Sequence, residues 1–268
     1  MGERRSFRRP DRGPRGGASE HLTGLNPIRE ALSARRRELR RLDVRAGATH
    51  PGVVLIVARA RQLGVRVREI AEKDAERLAS PGVELDAGLL PELGLEELLL
   101  LLPATRIDAR SGPRTLVALD GVEDPQNLGA IARVAESAGA LGLVLTHRQA
   151  PPLSAAVSRA SAGAIEWLPV ARVPNLARAL ETLQGEGFWV LGADAGAADS
   201  LYDLPDRLAR ADRVVVFGAE GRGLRPGVAK RLDQKLRIPL RGKVDSLNVS
   251  TAASVVLFEL ERRATGTR

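Results

Sequence analysis

Three short stretches of this 268-residue chain put amide, hydroxyl, carboxylate and guanidinium groups where strands are expected to give way to helices. The first, LDGVEDPQNLGAIARVAESAG (119–139), carries Asn127 and Arg133 almost two helical turns apart. Both can look toward a site above a sheet, and Gly129 lets a backbone or ligand come close. A helix cap at Asn127 and a solvated Arg133 would read the same way. The second, VVVFGAEGRGL (214–224), has Gly218, Gly221 and Gly223 spaced G-x-x-G-x-G, not the G-x-G-x-x-G of dinucleotide sites. Glu220 would repel a phosphate there, and Pro226 leaves no long helix N-terminus to hold one. A carboxylate in such a loop suits a cation, a hydroxyl donor or an Arg, although a tight turn with an exposed Glu fits equally well. The third, KVDSLNVSTAASVVLFELE (243–261), sets Ser246, Asn248 and Ser250 on the lip of an Ala-rich apolar helix. One cap is all a helix needs. Three small polar groups exceed that need, and the loop's backbone N–H and C=O groups suit a buried ligand with adenine and amino-acid parts.

Composition narrows the chemistry. The chain has no cysteine, and His21, His50 and His147 stand at no ligand spacing, so disulfides are excluded and no metal site is expected. The formal net charge of +8 favours a polyanionic partner such as nucleic acid. Half of that excess lies in the Arg/Gly/Pro-rich residues 1–18, which lack the apolar groups that offset ordering entropy and are expected to be disordered. The tail has no apolar signal-peptide core, and LEELLLLL (95–102) is too short and acidic to span a membrane. A cytoplasmic protein with no membrane partner is expected.

The elements that must position these residues alternate. GLNPIREALSAR predicts a helix capped by Asn26 with Pro27 in its first turn. LRRLDVRA, VRVREI and GVELDA predict strands, with a helix in PGVVLIVARARQLG and a shorter one in AEKDAERLA. This describes a small α/β domain over 19–90, a linker over 91–113, and a larger domain over 114–268. In the larger domain, TLVALDG, LGLVLT, EWLPVARV, FWVLGADA, RVVVFGAE and KLRIPL predict strands. Helices are expected over 127–138, 154–162, 175–184, 227–232 and 249–262. Apolar strands between amphipathic helices mean a parallel sheet covered on both faces, with ligands at the carboxyl ends of its strands.

Together, NLGAIAR, FGAEGRGL and IPLRGKVDSLNVSTAASVVLFE resemble, in order and spacing, the three motifs of the SpoU (TrmH-like) RNA 2′-O-ribose methyltransferases, over about 115–262. SRASAGAIEWLPVARVPNLARAL and FWVLGADAGAADSLYD resemble the branch that modifies 23S ribosomal RNA. LTGLNPIREAL resembles that branch's small RNA-binding domain, related to L30e/L7Ae folds. Where that branch carries a His-Gln-Gly segment, this chain has SPGVELDAG (80–88), so the target nucleotide is less constrained than the chemistry. The resemblance implies an α/β fold whose C-terminal domain is tied in a deep trefoil knot, and a homodimer whose sites borrow residues across the interface. It implies S-adenosylmethionine bent in the knot against Gly218, Ile238, Leu240, Leu247 and Asn248, with Gly192 and Ala193 near the adenosine. It implies a catalytic set of Asn127, Arg133, Glu220, Ser246 and Asn248. Arg133 would stand beside the attacking oxygen and Asn127 would orient Arg133 or the ribose. Glu220 would hold Arg133 or an RNA amino group, while Ser246 and Asn248 would fix the ribose and the loop. A guanosine of 23S rRNA is the expected target. A tRNA ribose methyltransferase and a non-catalytic ribosome-assembly protein are the alternatives.

Overall fold

The structure, a computed structural model, describes residues 18–103 and 112–266; the Arg-rich tail expected over 1–18 thus lies almost wholly outside the described residues. The N-terminal unit runs β1 (Ser19–Thr23), α1 (Leu25–Ala34), β2 (Leu39–Arg45), α2 (Pro51–Gln62), β3 (Arg66–Ile70) and β4 (Val83–Gly88). Its sheet order is β1-β4-β2-β3, with β2 and β3 parallel and the other pairs antiparallel. Leu22, Leu42 and Leu85 from the sheet pack with Ile28, Leu32 and Ile56 from the two helices. Asn26 does not cap α1. The helix starts at Leu25, and its N-cap is Gly24 at φ 89°, a conformation that favours glycine, so Asn26 lies inside the first turn and caps nothing. AEKDAERLA forms a 3₁₀ turn over Glu72–Arg77.

The second unit runs α3 (Leu95–Leu101), β5 (Thr115–Asp120), α4 (Pro125–Ser137), β6 (Gly142–Thr146), α5 (Ala155–Ala160), β7 (Val170–Val173), α6 (Leu176–Gly185), β8 (Trp189–Ala193), α7 (Asp206–Ala209), β9 (Arg213–Gly218), α8 (Pro226–Ala229), β10 (Gln234–Leu236) and α9 (Val249–Thr265). Its six strands, in the order β10-β8-β9-β5-β6-β7, are parallel throughout. Two apolar layers cover the two faces. Leu128, Ile131, Val256 and Leu260 lie on one, and Leu98, Leu176, Leu180 and Val228 on the other. The chain winds outward from β5 to β7 and then returns to build β9, β8 and β10 on the opposite side. The direction of winding therefore switches between β5 and β9, where parallel sheets leave a crevice at their carboxyl ends.

Of the linker expected over 91–113, residues 104–111 lie outside the described residues; in the rest, Leu93 bridges to Ala171, and Leu98 is fully buried against the larger sheet. Two expected strands are shorter. The strand read in EWLPVARV is confined to Val170–Val173, because Glu166 ends a 3₁₀ turn and is drawn onto Arg37 of the N-terminal unit. Of KLRIPL (235–240) only Lys235 and Leu236 belong to β10; beyond it, Arg237 bridges to Ser200, and Ile238 and Leu240 become a cavity wall.

The two units meet through a buried ion pair. Arg37 Nε and Nη2 donate to the two carboxylate oxygens of Glu166 at 2.9 Å each, Ser158 Oγ donates to Oε1 at 2.8 Å, and Arg36 donates to the carbonyls of Glu166 and Leu168. Burial drives the Glu166 carboxyl above its usual range, against the pull of Arg37, Ser158 and Arg36. Stability at this site is therefore expected to fall as pH rises from the ordinary carboxylate range through that elevated value. Arg37→Met strands the Glu166 carboxylate and is expected to cost about 3–5 kcal/mol, much of it recovered by adding Glu166→Leu. Denaturant midpoints of the three proteins check this, and a single variant as stable as the native protein would contradict it.

Candidate active site

A cavity of about 860 Å³ lies at the carboxyl ends of β8, β9 and β10, on the β9 side of the switch point. Ala193, Gly218 and Glu220 line it from the loops after β8 and β9, and Ile238, Leu240, Ser246, Leu247 and Asn248 line it from the segment between β10 and α9. The loop after β9 can fold back only because Gly218 has no side chain. A Cβ there would lie 2.3 Å from the carbonyl carbon of Gly223 and 2.6 Å from the nitrogen of Leu224. Gly218→Ala is therefore expected to open the cavity wall and weaken donor binding at least about tenfold, roughly 1.4 kcal/mol. Titration calorimetry reads this directly, and unchanged affinity would refute it.

Asn248 does two jobs. It is the N-cap of α9: Oδ1 accepts the N–H of Ser250 at 2.9 Å and of Thr251 at 3.4 Å, and the Ser250 hydroxyl at 2.6 Å. With Oδ1 committed to the helix, Nδ2 must face outward. It donates to Asn127 Oδ1 at 3.0 Å and to Glu220 Oε1, while Asn127 Nδ2 donates to Glu220 Oε1 at 3.3 Å. The three loops thus close on one carboxylate. Asn127 is free to take part because Asp124, not Asn127, caps α4 through the Gln126 N–H at 2.9 Å.

Two expected residues stand apart. Arg133 is exposed on α4 and, among the described residues, has no hydrogen-bond or ion-pair partner. It does not line the cavity. Gly192 is buried and also lies off the cavity: a Cβ on it would meet Leu232 at 2.3 Å, so it serves close packing beneath β8. Gly129 likewise serves the fold, since a Cβ there would lie 2.4 Å from the Cβ of Ala160 on α5. The sequence reading missed Asp194 and Asp245, both on the cavity wall. Asp194 directly follows the end of β8, the position where ligand groups gather in a parallel sheet, and that was a usable signal.

The lining bears on what kind of ligand fits. Asp194, Glu220 and Asp245 line it with the guanidinium of Arg222, and Lys235 Nζ lies 3.3 Å from Asp194 Oδ2. Such a wall repels phosphates and suits a ligand with cationic groups. Apolar Phe217, Leu236, Ile238 and Leu247 offer surface for a flat ring. S-adenosylmethionine, with its sulfonium, ammonium and adenine, fits these residues; a dinucleotide does not. Among the described residues no group of three or more His, Asp or Glu side chains is placed to hold a metal ion, and no helix is long and apolar enough to cross a membrane.

Residues 114–258, more than half of the chain, match the SpoU rRNA Methylase family. The chain belongs to that family. Relatives of the SpoU family agree along almost its whole length. The 23S rRNA (guanosine-2′-O-)-methyltransferase RlmB of Pseudomonas syringae is 33% identical over 93% of this chain and 98% of its own. An AdoMet-bound rRNA methyltransferase from Sinorhizobium meliloti superposes with a TM-score of 0.71 at 26% identity, covering 91% of this chain and 87% of that one. The SpoU methyltransferase AviRb of Streptomyces viridochromogenes, at 20% identity, shares the fold with a TM-score of 0.75 over 92% of this chain and 91% of its own.

Proposed function

We propose that this protein transfers a methyl group from S-adenosylmethionine to a ribose 2′-hydroxyl of RNA, the target being a guanosine of 23S ribosomal RNA, in the cytoplasm. The observation that carries the reading is the meeting of Asn127, Glu220 and Asn248 at the rim of a carboxylate-lined cavity. When bound there, the donor supplies a methyl group already activated by its sulfonium. The chain must align the ribose oxygen as its O–H proton passes to water or an RNA phosphate and the methyl–sulfur bond breaks to leave a neutral thioether. Asn127 and Asn248 hold Glu220 in place, and Glu220 orients a ribose hydroxyl or an RNA amino group. Ser246, exposed on the cavity wall, hydrogen-bonds the ribose. Arg133 stabilises the negative charge that grows on the attacking oxygen. A guanidinium keeps its proton in a protein, so Arg133 acts as a charge and not as a base.

The reading includes a deep trefoil knot in the C-terminal domain (114–268), a linker over 91–113, and an L30e/L7Ae-like RNA-binding domain over 19–90. It includes a homodimer in which Arg133 completes a site together with residues of a second copy. The winding switch between β5 and β9, the Arg133 guanidinium without a partner among the described residues, and Phe258, 49% exposed on α9, support these points.

The test uses tritiated S-adenosylmethionine with unmodified large-subunit rRNA and bulk tRNA. Label at one guanosine ribose of the rRNA is expected. Label only in tRNA would overturn the substrate and keep the chemistry. No label and no donor binding would overturn the enzyme.

A further inference from the structure

The loop that carries Glu220 has an anchor outside the cavity. Asp120, the last residue of β5, is 1% exposed. Its Oδ2 accepts the backbone N–H of Arg225 at 2.7 Å, and its Oδ1 accepts Arg225 Nε at 2.6 Å. Arg225 Nη2 lies 2.5 Å from the same Oδ1, and Nη1 donates to Gln149 Oε1 at 2.7 Å in the loop after β6. One buried carboxylate and one guanidinium therefore tie together the carboxyl ends of β5, β6 and β9. A carboxylate buried this far is tolerated because its oxygens meet charge-assisted donors.

The placement gives the pair a role. Asp120 begins the segment that leads through the Asp124 cap to Asn127. Arg225 follows directly on the cavity-lining residues 217–224. The close approach of Gly218 to Gly223 fixes the near end of that loop, and Asp120 fixes the far end. Glu220 lies between the two anchors. We infer that Asp120 and Arg225 are positioning residues for methyl transfer, holding the Glu220 loop against Asn127 and against the donor cavity. The inference rests on the donor-binding reading above.

Asp120→Asn tests it. An amide has one acceptor oxygen for a set of donors that now uses two, and it turns an NH₂ toward the rest. Donor affinity measured by calorimetry is expected to fall about tenfold and kcat about ten- to a hundredfold, with KM for RNA within about twofold. Arg225→Ala, which keeps its backbone N–H for Asp120, is expected to show the same pattern more weakly and provides the test if Asp120→Asn does not fold. A merely structural role would lower the folded fraction and the thermal midpoint while the folded protein bound donor normally. That result would overturn the inference, as would donor affinity and kcat within about twofold of native. A rise confined to KM for RNA would also overturn it, assigning Arg225 to an RNA contact. A native protein that binds no donor would instead overturn the reading on which the inference rests.

Discussion

Arg133→Ala is expected to lower the rate of methyl transfer about a hundred- to a thousandfold while donor affinity stays within about twofold. The two readouts separate because Arg133 does not line the donor cavity, so removing it leaves that wall intact. Its charge also has no competing partner among the described residues, and it remains available for an oxygen that becomes negative only during the reaction. An interaction made only in the transition state lowers kcat and kcat/KM together. Arg133→Lys keeps a positive charge but loses the planar fork, and an intermediate rate is expected. Single-turnover transfer from tritiated donor gives the rate, and calorimetry gives the affinity. Near-native transfer by the Ala variant would remove Arg133 from the chemistry. An equal loss of donor affinity would make it a binding residue instead.

The parts of this protein that follow local rules were readable from residues alone. Runs such as Val214–Val215–Val216 announce a strand buried on both faces, and β9 is buried through Phe217. The cap of α9 was also readable as one of three polar groups, although only the structure shows that Asn248 takes that role and leaves Ser246 exposed in the loop. What depends on distant pairing was not readable. SEHLT has no clear apolar alternation, and it becomes β1 only because β4 offers an open edge. The burial of Leu98, within the linker expected over 91–113, was hidden for a related reason. A short Leu-rich turn says nothing about which sheet will bury Leu98.

The candidate site divides in the same way. Three polar loops could be located, because each follows a strand in a parallel sheet. Their meeting could not be read, because Asn127 lies 93 positions from Glu220 and 121 from Asn248. Glycines gave a mixed return. Gly218 and Gly129 both mark close approaches, but the neighbours are the chain's own loop and helix α5, which no spacing rule reveals.

Asn248→Asp separates the two jobs of that residue. Asp caps a helix about as well as Asn, and its charge is favourable at a helix N-terminus, so stability is expected to change by no more than about 1 kcal/mol. Asn248→Ala, which loses the bonds to Ser250 and Thr251, is expected to be the less stable of the two variants, by about 1 kcal/mol. Activity follows a different logic. The Asp variant loses the N–H donor to Glu220 and Asn127 and sets a second carboxylate against Glu220. Two carboxylates at hydrogen-bond range cannot both stay ionised without repulsion, so Glu220 is expected to swing away and turnover to fall about a hundredfold at neutral pH. The sign of the pH dependence identifies the cause. Repulsion between the two favours uptake of one shared proton, which restores a donor between the groups. Relative to the native enzyme, the Asp variant should therefore regain activity as pH falls into the weakly acidic range, and the Ala variant should not. Thermal melts and pH–rate profiles of both proteins decide the matter. Full activity of Asn248→Asp at neutral pH would show that Glu220 does not need the amide, and would reduce Asn248 to a helix cap.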